Sequence, residues 1–200
     1  MERKAGKTGL RKSMRNLVDT LVDVDKVEKK DGEFADAYTF YVERQIRESK
    51  GARLIRLQEV GIGHAESLFL EKVWWPIFGH FEYLHAEYEV RDFEDGYRFI
   101  DFAYIRGRYK IGFEVDPYGT HARDISRWDY DNQLERGNHL LIDDWLITRY
   151  SLNHVTNKSR RCQQFVLHLF GHWFGAFSDD DTEELNMRER EIVKLFKGTN

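Results

Sequence analysis

The chain has 200 residues and 23.9 kDa, enough for one buried core; 33% charged and 41% hydrophobic residues, with Pro at 2 and Gly at 15, exclude disordered, collagen-like and low-complexity proteins. The formal net charge of −4 argues against a surface built entirely for polyanions, but the charge is unevenly placed. Arg3, Lys4, Lys7, Arg11, Lys12 and Arg15 crowd the start, residues 145–177 carry Arg149, Lys158, Arg160 and Arg161 without any Asp or Glu, and residues 178–200 turn acidic.

No apolar run is long enough to span a bilayer, and none follows the basic start, so the expectation is a cytoplasmic protein with no membrane partner. A single cysteine, Cys162, makes neither an intramolecular disulfide nor a Cys-based zinc site and reads as a small buried hydrophobe in a helix.

In chain order, residues 10–30 and 35–50 read as helices, the second with Tyr38, Val42, Gln45 and Ile46 at helical spacing. His64 to Trp75 is a helix with Leu68, Phe69 and Val73 turned to a core, stopped by Pro76 and Gly79. Phe81–Val90, Tyr97–Ile105 and Tyr109–Val115 are aromatic and β-branched runs broken by Gly96, Arg106-Gly107 and Pro117, a three-stranded meander. Asp124–Leu141 follows as a helix with Ile125, Trp128, Leu134 and Leu141 available for packing and Gly137 as a weak point. Trp145–Tyr150 is a further strand. Residues 156–170 close the core as an amphipathic helix, and Thr182–Phe196 forms a last helix behind an acidic turn. His168 and His172 stand one helical turn apart, with Gly171 expected to interrupt the helix between them, which points to a packed helix end rather than a zinc site. The expected fold class is α/β, in the order α-β-β-β-α-β-α: a central mixed sheet flanked by helices over 61–177, preceded by a helical extension with a basic arm over 1–60 and followed by an acidic helix over 178–200.

Alternation along the strands locates the chemistry. Ile100, Phe102 and Tyr104 share one face of their strand, and Phe99, Asp101 and Ala103 the other; on the next strand Lys110, Gly112, Glu114 and Asp116 line up opposite Ile111, Phe113 and Val115. Carboxylates inside an apolar sheet need a partner, because an unpaired buried charge costs several kcal/mol. Two partners fit. One is an ion-pair cluster with Lys110 and nearby arginines, or solvent at the strand end; the other is a hard divalent cation such as Mg²⁺ or Mn²⁺ held by carboxylate oxygens and water.

The segments Phe99-Ile100-Asp101-Phe102-Ala103 and Ile111-Gly112-Phe113-Glu114-Val115-Asp116, then His121, Arg127, Asp131-Asn132, Leu134, Trp145 and Arg149, resemble the PD-(D/E)XK nuclease superfamily. Within it they are similar to the small bacterial proteins related to very-short-patch repair endonucleases. Glu66 falls where such nucleases often carry a glutamate on the first helix. The resemblance covers roughly residues 62–170; the superfamily's lysine position holds Asp116, and Pro117 stands where the narrower family has glycine.

The resemblance implies a restriction-endonuclease-like core and metal-dependent hydrolysis of a phosphodiester in DNA. Asp101, Glu114 and the Val115 carbonyl would hold Mg²⁺ or Mn²⁺, Glu66 would reach it through water, and Asp116 or His121 would orient the attacking water. Arg127, Arg149, Lys158, Arg160 and Arg161 would contact DNA phosphates. Lys110, four residues from Glu114, lies about 13 Å along the strand and is too far to replace the missing lysine. The alternatives left open are a nuclease-fold subunit that binds DNA or a protein without cleavage, and an RNA or nucleotide phosphodiesterase; a homodimer or a partner subunit is also left open.

Overall fold

Helix-forming runs precede three consecutive strand-forming runs and bracket a fourth, and the computed structural model describes residues 30–92, 96–117, 126–175 and 187–197. The helices are α1 (Lys30–Glu48), α2 (Gly51–Glu59), α3 (His64–Phe69), which continues through a π-helical turn at Leu70–Trp74 into α4 (Trp75–Phe78), α5 (Arg127–Ile142), α6 (Leu152–Asn157), α7 (Ser159–Gly175) and α8 (Met187–Lys197). The strands are β1 (Leu84–Arg91), β2 (Tyr97–Arg106), β3 (Tyr109–Asp116) and β4 (Trp145–Ser151). The helix read over 10–30 lies outside the described residues apart from its last position, as do the first residues of those read over 124–141 and 182–196. No helix among the described residues is long and apolar enough to cross a membrane.

The expected meander forms. β1, β2 and β3 pair antiparallel in sequence order, and β4 adds to β3 in parallel, which requires a crossover that α5 supplies. Leu84, Ala86, Phe102, Tyr104, Ile111, Phe113, Val115 and Tyr150 turn to one face, where Phe69, Leu70, Trp74, Phe78, Val166 and Phe170 cover them. Ala103, Trp145 and Ile147 turn to the other, under Leu140 of α5. The result is a four-stranded mixed sheet with helices on both faces, the α/β class expected from the sequence.

Alternation fails at one place. Ile100 has the parity of Phe102, yet it packs in the opposite cluster with Ala103 and Leu140, and on the neighbouring strand Tyr88 joins it there while Ala86 stays with Phe102. The switch falls at Glu87, which adopts φ 47° inside β1, a conformation that side chains rarely take up. Ile100, Phe102 and Tyr104 therefore do not share a face. Gly112 sits where Ile100 and Ile147 meet: a Cβ there would stand 2.4 Å from Ile147 Cδ1.

Three local expectations change. The helix beginning at His64 runs through Pro76 and ends at Gly79, whose left-handed φ of 69° lets its amide cap the Trp75 carbonyl at 2.9 Å. Pro76 has no hydrogen to offer the Lys72 carbonyl four residues back, and Gln163 Nε2 of α7 donates to that carbonyl instead at 2.7 Å. The closing helix is divided into α6 and α7, and α7 passes Gly171 without a break. Trp128, Leu134 and Leu141 of α5 are exposed rather than packed; the helix meets the sheet through Leu140, Arg136 and Asn132 instead. Cys162 is buried in α7 as expected.

The β1 edge of the sheet is partly closed by side chains. Arg53 of α2 donates from Nε to the carbonyls of Ala86 and Glu87 at 3.0 and 3.1 Å, and the Ala86 amide donates to Gln45 Oε1 of α1 at 3.1 Å, so β1 offers little to a further strand.

Candidate functional site: a row of carboxylates across the sheet

β2 and β3 pair from Arg106↔Tyr109 as far as Phe102↔Phe113. One step further, Asp101 Oδ2 accepts the Val115 amide hydrogen at 2.7 Å, so a side chain stands in for the ladder at the place where the two strands part. Asp101 falls at the step between the β1–β2 pairs Ala86↔Phe102 and Tyr88↔Ile100, where β1 carries Glu87, and one residue past the last β2–β3 pair, next to which β3 carries Glu114; Glu114 pairs in turn with Arg149 on β4. Glu87, Asp101, Glu114 and Arg149 thus follow one another from β1 to β4, and the charges of Glu87 and Glu114 both act on Asp101. Glu66, in the first turn of α3, adds its charge from the helix side, raising the pKa of both Asp101 and Glu87.

The acids are neutralised unequally. Glu87 is buried and ion-paired with Arg56 of α2; burial still pushes its pKa up. Glu114 receives Arg149 Nε on Oε2 at 2.9 Å, and Arg136 Nη2 of α5 stands 2.6 Å from Oε1 in an ion contact that is not directed as a hydrogen bond. Asp101 has no cationic partner among the described residues. Burial pushes its carboxyl up to about 7; the Val115 amide opposes the rise, and the charges of Glu66, Glu87 and Glu114 add to it.

The structure therefore brings Asp101, Glu114 and Glu66 into one electrostatic cluster. Asp116 ends β3, exposed and opposite Ser151 in the β4 register, two residues beyond Glu114. The Val115 side chain is in the core, and its amide belongs to Asp101. His121 lies outside the described residues. Lys110 is at the far end of β3, where its Nζ donates to the Asp143 carbonyl at 3.2 Å, so it takes no part in the cluster. Arg127 is exposed at the start of α5. Lys158, Arg160 and Arg161 follow α6, the short helix that packs against α3.

Sequence reasoning missed Glu87 and Arg136. Arg136 had a readable signal, since Asn132, Arg136 and Leu140 are spaced by one turn on the face of α5 that meets the sheet. Glu87 had none, because its placement depends on the break in alternation at its own φ.

The donor set suits a hard cation. All the groups are carboxylates, Asp101 Oδ1 and the Glu66 carboxylate have no hydrogen-bond partner among the described residues, and the crowding of negative charge at Asp101 is what a dication relieves. It is not a closed cage: among the described residues no three His, Cys, Asp or Glu side chains are arranged to hold a metal ion. An open arrangement of one or two carboxylates, completed by water and substrate phosphate, is the usual one for Mg²⁺.

No family model, no curated protein and no solved structure matches the chain.

Proposed function

We propose that the chain is a metal-dependent nuclease that hydrolyses phosphodiester bonds in DNA, built on a restriction-endonuclease-like core. The observation that carries this reading is the set of acids Glu87, Asp101 and Glu114. Among the described residues Glu87 and Glu114 are neutralised by arginines and Asp101 is not, and the charge of Glu66 adds to that at Asp101. The element order, with three antiparallel strands, a helical crossover and a parallel fourth strand, supports the same fold.

Asp101 and Glu66 would hold Mg²⁺ or Mn²⁺, with Glu114 as a third ligand once an arginine yields. Such an ion polarises the phosphoryl oxygen, lowers the pKa of water and offsets charge on the leaving oxygen. The chain's own residues do the rest. Val115 holds the Asp101 carboxyl through its amide, and Arg136, anchored to the Phe99 carbonyl at 2.6 Å, keeps Glu114 in place. Asp116, exposed past the strand end, is placed to orient the attacking water. Arg127, Lys158, Arg160 and Arg161 supply phosphate contacts that position DNA without reading its sequence.

One observation favours a second reading, a nuclease-fold subunit that binds without cutting: both oxygens of Glu114 face arginines. Nicking of supercoiled plasmid separates the two. With Mg²⁺ or Mn²⁺ the wild type converts plasmid to open circles, chelation stops it, and Asp101→Ala is inactive while retaining its fold. Equal nicking by Asp101→Ala removes the site, and no nicking by a wild type that still binds DNA selects the second reading.

A further inference from the structure

The two arginines on Glu114 are held differently. Arg136 has a side chain 24% exposed and also donates to the Phe99 carbonyl, so β2 retains it whatever Glu114 does. Arg149 has a side chain 44% exposed, and its hydrogen bonding among the described residues consists of Nε on Glu114 Oε2. It projects from β4. Glu114 itself is buried, so the exposed half of the pair is the guanidinium, which water or another anion can take over once a different cation holds the carboxylate.

We infer that the Arg149–Glu114 pair is an exchangeable latch: a divalent cation taken up beside Asp101 displaces Arg149 from Glu114, and the freed guanidinium binds a phosphate of the nucleic acid. The inference rests on the cation-site reading above and adds to it an order of events. A guanidinium and a dication on one carboxylate repel each other, so filling the site weakens the pair. A phosphate offers the displaced guanidinium a planar, bidentate partner of higher charge. Cation and nucleic acid then reinforce each other's binding, as linkage requires, and part of that coupling passes through Arg149.

The test is calorimetric titration of Mn²⁺ into the full chain without nucleic acid, for the wild type, Arg149→Gln and Arg136→Gln, followed by affinity for a short DNA duplex with and without Ca²⁺. Removing a competitor from Glu114 tightens Mn²⁺ binding by Arg149→Gln about fivefold, given the usual strength of such pairs. Arg136→Gln, which loses the anchor, binds Mn²⁺ more weakly than the wild type. The increase in duplex affinity caused by Ca²⁺ shrinks in Arg149→Gln. If Arg149→Gln binds Mn²⁺ no tighter than the wild type while its circular dichroism is unchanged, Arg149 only positions Glu114 and the latch is wrong. An undiminished Ca²⁺ effect on duplex binding removes the transfer to phosphate. A wild type that takes up no Mn²⁺ overturns the cation site itself, and the latch with it.

Discussion

The charge of Glu114 acts on Asp101, yet among the described residues Glu114 is flanked by two arginines and Asp101 by none. The asymmetry makes Asp101 the member of the pair whose negative charge is uncompensated among the described residues, and so the one whose protonation follows pH. Its carboxyl titrates near 7 in the folded chain and near 3.9 when unfolded. Between those values the folded state holds a proton that the unfolded state has lost, so stability falls as pH rises from about 4 to 7 and stays low above. Asp101→Asn keeps an acceptor for the Val115 amide and removes the charge. Urea unfolding without divalent cations should find it more stable than wild type by about 2 kcal/mol at pH 8 and equal to it near pH 4. A variant less stable than wild type at pH 8 would mean that the ionised carboxylate is structurally required.

Gln163 replaces the hydrogen that Pro76 cannot give to the Lys72 carbonyl, and it ties α7 to the helix that carries Glu66. Gln163→Leu fills similar volume without a donor. It should destabilise the chain by about 1–2 kcal/mol, measured by chemical denaturation, while leaving the sheet intact.

Arg106 and Glu189 form a buried ion pair at 2.6 Å, with the Tyr104 hydroxyl donating to the same carboxylate at 3.1 Å, and so fasten α8 to β2. Glu189→Ala leaves a buried guanidinium with no counter-charge, and a loss of about 3 kcal/mol is expected by thermal or urea unfolding. Arg106→Met combined with Glu189→Leu should recover most of it, because neither charge then remains buried. Failure of the double variant to recover would assign the loss to packing.

Much of this site could be read from the sequence, and the reasons are local. Asp101 and Glu114 stood out because each interrupts an apolar strand, and on β3 Ile111, Phe113 and Val115 do share one face, as alternation expects. On β2 the same rule failed at Ile100, since the switch of face is set by Glu87 on the neighbouring strand, and single-strand periodicity carries no information about a neighbour's φ. α2 went unread although it carries Leu54, Ile55 and Leu57: of these Leu57 alone is buried and Ile55 is exposed, and its work is done by Arg53 and Arg56 on the sheet edge. The packing of α5 was misjudged for a related reason, its sheet-facing side being largely polar. The pairing of Glu114 with arginines realised the bland alternative for that residue, while Asp101 remained the acid without a counter-charge.

Lys158, Arg160 and Arg161 lie together where α6 gives way to α7. Replacing all three with Gln should weaken DNA binding uniformly across sequences and flatten the dependence of log K on log salt by roughly 0.7–0.9 for each phosphate that is no longer neutralised. Fluorescence anisotropy over a salt series measures it. An unchanged slope would move the DNA surface elsewhere, to the basic segment from Arg3 to Arg15 first.

The cation site is the centre of the account, and Mn²⁺ binding followed by electron paramagnetic resonance tests it most directly. Free Mn²⁺ gives a sharp signal that disappears on binding, so occupancy is read without any substrate. At pH 8 the wild type should take up Mn²⁺, more weakly at pH 6 as Asp101 acquires its proton, and Asp101→Asn and Glu66→Gln should each lose the binding. Mn²⁺ bound equally by wild type and Asp101→Asn, or bound without change between pH 6 and 8, would contradict it.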